Sequence, residues 1–384
     1  MREVSVIGIG QTKVGEHWDV SLRHLAWEAV RAALNDAGVK HVDGLYVGNW
    51  LGGLLSGQEQ LGALIADFVG MRGVEAVKVE AAGASGAAAL RQAYTAVASG
   101  LMDIAVVVGV EKMTDRIGSP VQAALATGVD SDYEAAQGVT PAALAALLMR
   151  RYMYEYGLTL ADFAPFSVNA HQNASTNPNA MYRNKITADA YLKAPMIAEP
   201  VNLFDAAPAA DGAAALVLCP VAMARDYSQK PVRIAASAIA TDALALHDRP
   251  DPLFLTAANL SAGQAYEQAG IGPEDIDVFE LHDAYTILAA LTLEATGFAG
   301  RGEGTRLVAD GSIGLKGRIP ISTFGGLKAR GDPGGATGIY QVVEVVLQLR
   351  GEAGPNQVEG ARWGMAQNLG GLAATAVTHI FTRQ

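Results

Sequence analysis

The chain alternates short apolar runs with stretches of helical periodicity, and it does so in both halves. Val4-Ser5-Val6-Ile7-Gly8-Ile9 reads as a first strand. Leu22, Leu25, Ala26, Ala29, Val30, Ala33 and Leu34 then recur at i, i+3, i+4 spacing, and Gly38 supplies the stop. Residues 74–81 predict a strand, 85–98 a helix of small residues, and 104–110 another strand. In the second half, 276–281 predicts a strand and 284–296 a helix stopped by Gly297. Residues 319–323 predict a strand leading into a glycine-rich turn, 340–349 a helix, and 365–368 and 374–381 closing strands. This grammar belongs to the α/β class, in which helices cover the faces of a sheet.

Each half holds a strand, a tight turn of small residues and a long helix. Each also finishes on a glycine-led apolar strand, from Asp211-Gly212 and from Gly370-Gly371. A duplicated α/β unit follows, with an N-terminal half over 1–228 and a C-terminal half over 229–384. The length of 384 residues, half of them apolar, exceeds one compact domain and suits two. Between roughly 114 and 200 the composition changes to Arg150, Arg151, Tyr152, Tyr154 and a polar stretch over 173–179. That segment reads as an inserted cap, serving either the site or an oligomer contact.

A formal net charge of −11 argues against a nucleic-acid partner, which needs a concentrated basic footprint. The N-terminus runs straight into a strand without a targeting pattern, and the longest apolar stretches are too short to span a bilayer. The expectation is a cytoplasmic protein with no membrane contact. The one cysteine, Cys219, excludes an internal disulfide and sits in an apolar run before Pro220, where it reads as an inert buried residue. Gly8-Ile9-Gly10 lacks the third glycine of a dinucleotide fingerprint, and the seven histidines show no metal-ligand spacing.

Three segments carry a family resemblance. Val79-Glu80-Ala81-Ala82-Gly83-Ala84-Ser85-Gly86 resembles the nucleophile turn of the thiolase superfamily, V-E-A-A-C-A-S-G, with Gly83 at the cysteine. Glu280-Leu281-His282-Asp283-Ala284-Tyr285 is similar to the H-D-A-F motif of sterol-carrier-type and archaeal-type thiolases. The run from Gly325 to Gly338 resembles G-G-x-K-x-x-G-H-P-x-G-A-T-G, with Asp332 at the histidine. The order and spacing of the three segments span the chain. The resemblance implies the thiolase fold, two α/β halves in a five-layer αβαβα sandwich, and a CoA thioester as substrate with no covalently held cofactor. It also implies a homodimer or homotetramer, and a small OB-fold protein as a further partner.

In thiolases the turn cysteine sits at a helix N-terminus, is deprotonated by the histidine of the G-H-P segment, and is acylated. Glycine cannot take that step, so the usual covalent route is excluded on chemical grounds. Gly83 and Asp332 remove nucleophile and activator together, while Ala284 and Asn368 occupy the two positions of a second acid/base cysteine. His282 remains to polarise a carbonyl or enolate oxygen, with Asp283 or nearby backbone fixing its tautomer; its structural alternative is a cap on the turn. Asp332 is either a general base with a desolvated carboxyl or the first residue of a turn before Pro333. Tyr285, and Tyr340 on the next helix, are packing residues unless a hydroxyl faces the cavity.

The resulting expectation is carbon–carbon bond chemistry on a CoA thioester without an acyl-enzyme, acyltransferase-like or retro-aldol. The alternative is a non-catalytic CoA-binding or scaffold subunit beside an active homologue or an OB-fold partner.

Overall fold

A computed structural model describes residues 1–383. Its strands are β1 (Val4–Gln11), β2 (Gly44–Gly48), β3 (Glu75–Val79), β4 (Ala105–Glu111), β5 (Met196–Ala198), β6 (Val201–Asn202), β7 (Gly212–Pro220), β8 (Val232–Thr241), β9 (Val278–Glu280), β10 (Trp363–Gly370) and β11 (Thr375–Arg383). Nine of them form one sheet in the order β3-β2-β4-β7-β1-β8-β11-β10-β9, while β5 and β6 pair separately. The sheet has two wings, joined where Val4 to Val6 of β1 run antiparallel to Val232 to Ile234 of β8.

The wings repeat one pattern. In the first, β3, β2 and β4 are parallel and β7 and β1 follow antiparallel. In the second, β9 and β10 are parallel and β11 and β8 follow antiparallel. The partner of β3 in the second wing is the 319–323 segment. It is not the strand that its sequence predicts: one parallel bridge, Phe279 to Ile321, attaches it to β9. Phe279 N–H donates to the Pro320 carbonyl at 2.9 Å, while on the other side Ile319 and Ile321 donate to the carbonyls of Ser312 and Ile313.

Alternation along the strands divides the core into layers. Ala105 and Val107 of β4, with Leu216 and Leu218 of β7, face one apolar cluster. Val106, Val108 and Val110, with Ala215 and Val217, face another. The outer cluster is covered by the helix Leu22–Ala37, whose buried residues follow the predicted stripe and whose end is capped by Gly38 in the left-handed region. The outer face of the second wing carries Thr256–Ala269 and Thr286–Ala295, packed on Ala236, Met365 and Ile380. Helices Ser85–Ser99 and Thr337–Arg350 fill the layer between the wings. They approach closely because Gly338 has no side chain: a Cβ there would lie 2.6 Å from the Ala87 nitrogen.

The inserted region contains the helices Pro141–Tyr156 and Ala164–Ala174. Thr140 caps the first by accepting from the Ala143 N–H at 3.2 Å, and Pro141 occupies its first turn. No helix among the described residues is long and apolar enough to cross a membrane. Cys219 lies buried in β7, where burial pushes its thiol up to about 12.

Candidate active site

The motifs converge where strands end and helices begin, the usual place for a ligand in a doubly covered sheet. β3 runs into the Gly83 turn and then into Ser85–Ser99. Ala82 holds φ +48°, a left-handed conformation that costs a residue with a Cβ about 1–2 kcal/mol. The turn is fixed by the Ser85 hydroxyl, which donates to the Ala82 carbonyl at 2.6 Å and accepts from the Ala81 N–H at 2.9 Å. A Cβ on Gly83 would stand 2.9 Å from the Leu369 carbonyl oxygen, 3.3 Å from His282 Cε1 and 3.6 Å from His282 Nε2. Position 83 thus faces the imidazole edge directly, with nothing between.

His282 follows β9 and is 4% exposed. The Asn368 amide nitrogen lies 2.8 Å from its Nδ1 and donates to it, so the ring proton sits on Nε2, facing Gly83. Burial, reinforced by the Arg330 charge, lowers its pKa to about 3. The ring is therefore a neutral donor at physiological pH. Neither Asp283 nor nearby backbone, the two alternatives the sequence offers, fixes this tautomer; the Asn368 side chain does. The Asp283 carboxylate accepts instead from the Leu327 N–H at 2.7 Å and the Ser322 hydroxyl at 3.3 Å, tying the glycine-rich segment down. Gly326, at φ +53°, must be glycine, since a Cβ would reach 2.4 Å from that carboxylate.

Asp332 begins the approach to Thr337–Arg350. Its N–H donates to the Pro208 carbonyl at 3.0 Å, and its side chain accepts from the Thr337 hydroxyl at 2.5 Å. It is partly exposed because it lines the cavity, yet protein surrounds the carboxyl and burial raises its pKa to about 6. Tyr285 shares the cavity, and burial together with the Asp332 charge pushes its phenol well above the ordinary range. Tyr340 does not reach the cavity: its hydroxyl meets Thr12, at 3.0 Å from the side-chain oxygen and 3.1 Å from the carbonyl.

Gly83, His282, Tyr285 and Asp332 thus line one narrow cavity of about 90 Å³, with Trp50, Met113, Val129 and Leu372 as apolar walls. The N-termini of both middle-layer helices approach it, and their dipoles favour negative charge developing inside. Among the described residues, no group of three or more His, Cys, Asp or Glu could hold a metal ion.

Sequence reasoning passed over Glu111, at the end of β4. Its buried carboxylate accepts from the Trp50 N–H at 2.9 Å, Leu51 N–H at 3.1 Å, Gly335 N–H at 3.0 Å and Asn49 amide at 2.8 Å. It fixes the Trp50 wall to the loop after Asp332. Burial raises its pKa to about 7 against the pull of those donors. The one available signal was an acid ending an apolar strand. Arg330 was likewise read only as a motif letter, and it makes a fully buried ion pair with Glu344 at 2.7 Å.

Comparison with known proteins agrees with this geometry. Residues 4–222 match the thiolase N-terminal domain and residues 238–383 the thiolase C-terminal domain-like family. The chain is 49% identical to the acetyl-CoA acetyltransferase of Methanothermobacter thermautotrophicus over the full length of both. It is 34% identical to the 17-hydroxy-3-oxo-4-pregnene-20-carboxyl-CoA lyase of Mycobacterium tuberculosis, covering 91% of this chain and 92% of that one. Among solved structures it resembles the Ltp2-ChsH2(DUF35) aldolase, with TM-score 0.85 and 28% identity over 98% of this chain and 97% of that one. With both halves matched and the duplicated wings in place, the chain belongs to the thiolase superfamily, alongside sterol-carrier-type thiolases.

Proposed function

We propose that this protein acts on a CoA thioester, making or breaking the bond between its α and β carbons without an acyl-enzyme. The principal support is the joint placement of a neutral Nε2–H donor on His282 and a carboxylate of near-neutral pKa on Asp332, around a cavity where position 83 offers no nucleophile. In the cleavage direction, Asp332 takes the proton of a 3-hydroxyl group. The O–H electrons form the carbonyl, the α–β bond breaks, and its electron pair passes to the α carbon and thioester oxygen. The His282 Nε2–H and the two helix N-termini stabilise that enolate. Return of the proton to the α carbon gives the shortened acyl-CoA and a ketone or aldehyde. Synthesis is the reverse. Tyr285 lines the same cavity, where the Asp332 charge acts on its phenol.

The test is to incubate the protein with 3-hydroxyacyl-CoA thioesters and follow both products, with intact mass as a check for acylation. Turnover without an adduct is expected, and Asp332→Asn should lower it about 100-fold or more. An acyl adduct, or turnover indifferent to Asp332, would overturn the proposal. The non-catalytic subunit is the second reading. It is favoured by the absent side chain at 83 and by the two-component aldolase that the fold resembles. Binding of CoA without turnover, until a small OB-fold protein or an active homologue is added, would support it.

A further inference from the structure

The cavity shared by Gly83, His282 and Asp332 has little room. Its volume is about 90 Å³. An apolar cavity of ~150 Å³ accepts a benzene ring, so this one takes about four carbon-sized atoms. The reaction assigned to it uses that space. With the 3-hydroxyl at Asp332 and the thioester oxygen at His282, the α and β carbons lie between them. Whatever else the β carbon carries must fit against the remaining wall.

On the Asp332 side that wall is Trp50. Its N–H donates at 2.9 Å to the Glu111 carboxylate, which also accepts from the Gly335 N–H at 3.0 Å. A Cβ on Gly335 would lie 2.7 Å from the Trp50 nitrogen, so the residue's backbone abuts the loop after Asp332. Its six-membered ring reaches towards the Gly83 turn. A Cβ on Gly128 would stand 2.7 Å from Trp50 Cζ2 and 3.2 Å from Cη2, and 3.7 Å from the Ala82 Cβ. The ring therefore already lies against the Gly128 backbone, beside the residue that precedes Gly83. Gly128 has nowhere to yield, because a Cβ on Gly371 would come within 2.6 Å of its carbonyl oxygen. An indole held at both ends is a fixed limit on size.

We propose that Trp50 determines the substrate class of this site: 3-hydroxyacyl-CoA thioesters whose β carbon carries no group larger than methyl. This rests on the reaction proposed above and narrows it. Cleavage of 3-hydroxybutyryl-CoA gives acetyl-CoA and acetaldehyde. With a second methyl on the β carbon the products are acetyl-CoA and acetone. A longer chain meets the indole.

Calorimetric titration of the whole protein with butyryl-CoA and octanoyl-CoA tests it, since neither has the 3-hydroxyl and both bind without reacting. Butyryl-CoA should bind about tenfold or more tightly than octanoyl-CoA, the usual scale of an overpacking penalty. In Trp50→Ala that ratio of affinities should fall about tenfold, and in Trp50→Phe it should lie between the two. The ratio is internal to each variant, so a general loss of folded protein does not move it. Equal binding of the two thioesters by the parent, or a ratio indifferent to Trp50→Ala, would overturn the proposal. Turnover of 3-hydroxybutyryl-CoA is read separately. The size preference without turnover supports the limit set by Trp50 and overturns the reaction. Turnover with equal binding of both thioesters overturns the limit alone, and failure of both to bind overturns the two together.

Discussion

At Gly83 the turn between β3 and the helix Ser85–Ser99 presents no side chain to the cavity. The turn keeps its left-handed Ala82, its serine clamp and its aim at His282. Placing Cys at 83 is therefore informative. Its Cβ crowds the Leu369 carbonyl at 2.9 Å, a cost of about 1 kcal/mol. His282, with a pKa of about 3, cannot take the thiol proton. Gly83→Cys alone should acylate slowly with acetyl-CoA, and Gly83→Cys with Asp332→His about 100-fold faster, read by intact mass. Asp332 also carries a stability signature. Its folded pKa of about 6 lies above the ordinary 3.8, so the protonated form is favoured on folding. That contribution is fully present below pH 4 and lost as pH rises through 6, about 3 kcal/mol in all. Asp332→Asn should accordingly gain stability over the parent at pH 8, with the gain vanishing near pH 4, as measured by urea unfolding.

At the scale of elements, the cavity depends on loops whose own residues do no chemistry. Glu111 holds two such segments, 49–51 and the one containing Gly335, with four donors converging on one carboxylate. Glu111→Ala would strand the Trp50, Leu51 and Gly335 N–H groups in the interior. A loss of at least about 3 kcal/mol is expected from the usual cost of unmade buried hydrogen bonds, measured by denaturant titration. The strand periodicities and the small-residue helices were legible because burial on a sheet enforces alternation and close approach enforces glycine. The 319–323 segment was misjudged for the opposite reason. Its apolar residues satisfy strand propensity, but its ladder hydrogen bonds go to Ile313 and to a single bridge, a pairing that no local pattern encodes.

Across the whole molecule, two buried histidines add to the loss of stability in acid. His282 and His379 have folded pKa values of about 3 and about 4, both lowered by burial, with His379 Nε2 at 3.1 Å from the Ala87 carbonyl. The unfolded chain binds their protons below about pH 6.5 and the folded chain does not. Their contribution is full above 6.5 and is lost as pH falls towards 3. The urea midpoint should decline across that window, and His379→Gln should flatten the decline.

The sequence by itself determined the α/β class, the duplicated halves and the three motif segments, because periodicity, turn residues and motif spacing are local properties of a chain. It also placed Gly83, His282, Tyr285 and Asp332 on one list. Only the tertiary structure decided that these four share a cavity, that Asn368 rather than Asp283 orients His282, and that Glu111 braces the loops around them. The hydrogen bonds of Asn368 to His282 and of Glu111 to its loops join residues from 60 to 224 positions apart. They arise where strand ends of two wings meet two helix N-termini, and hydrogen-bond partners across such distances are chosen by packing.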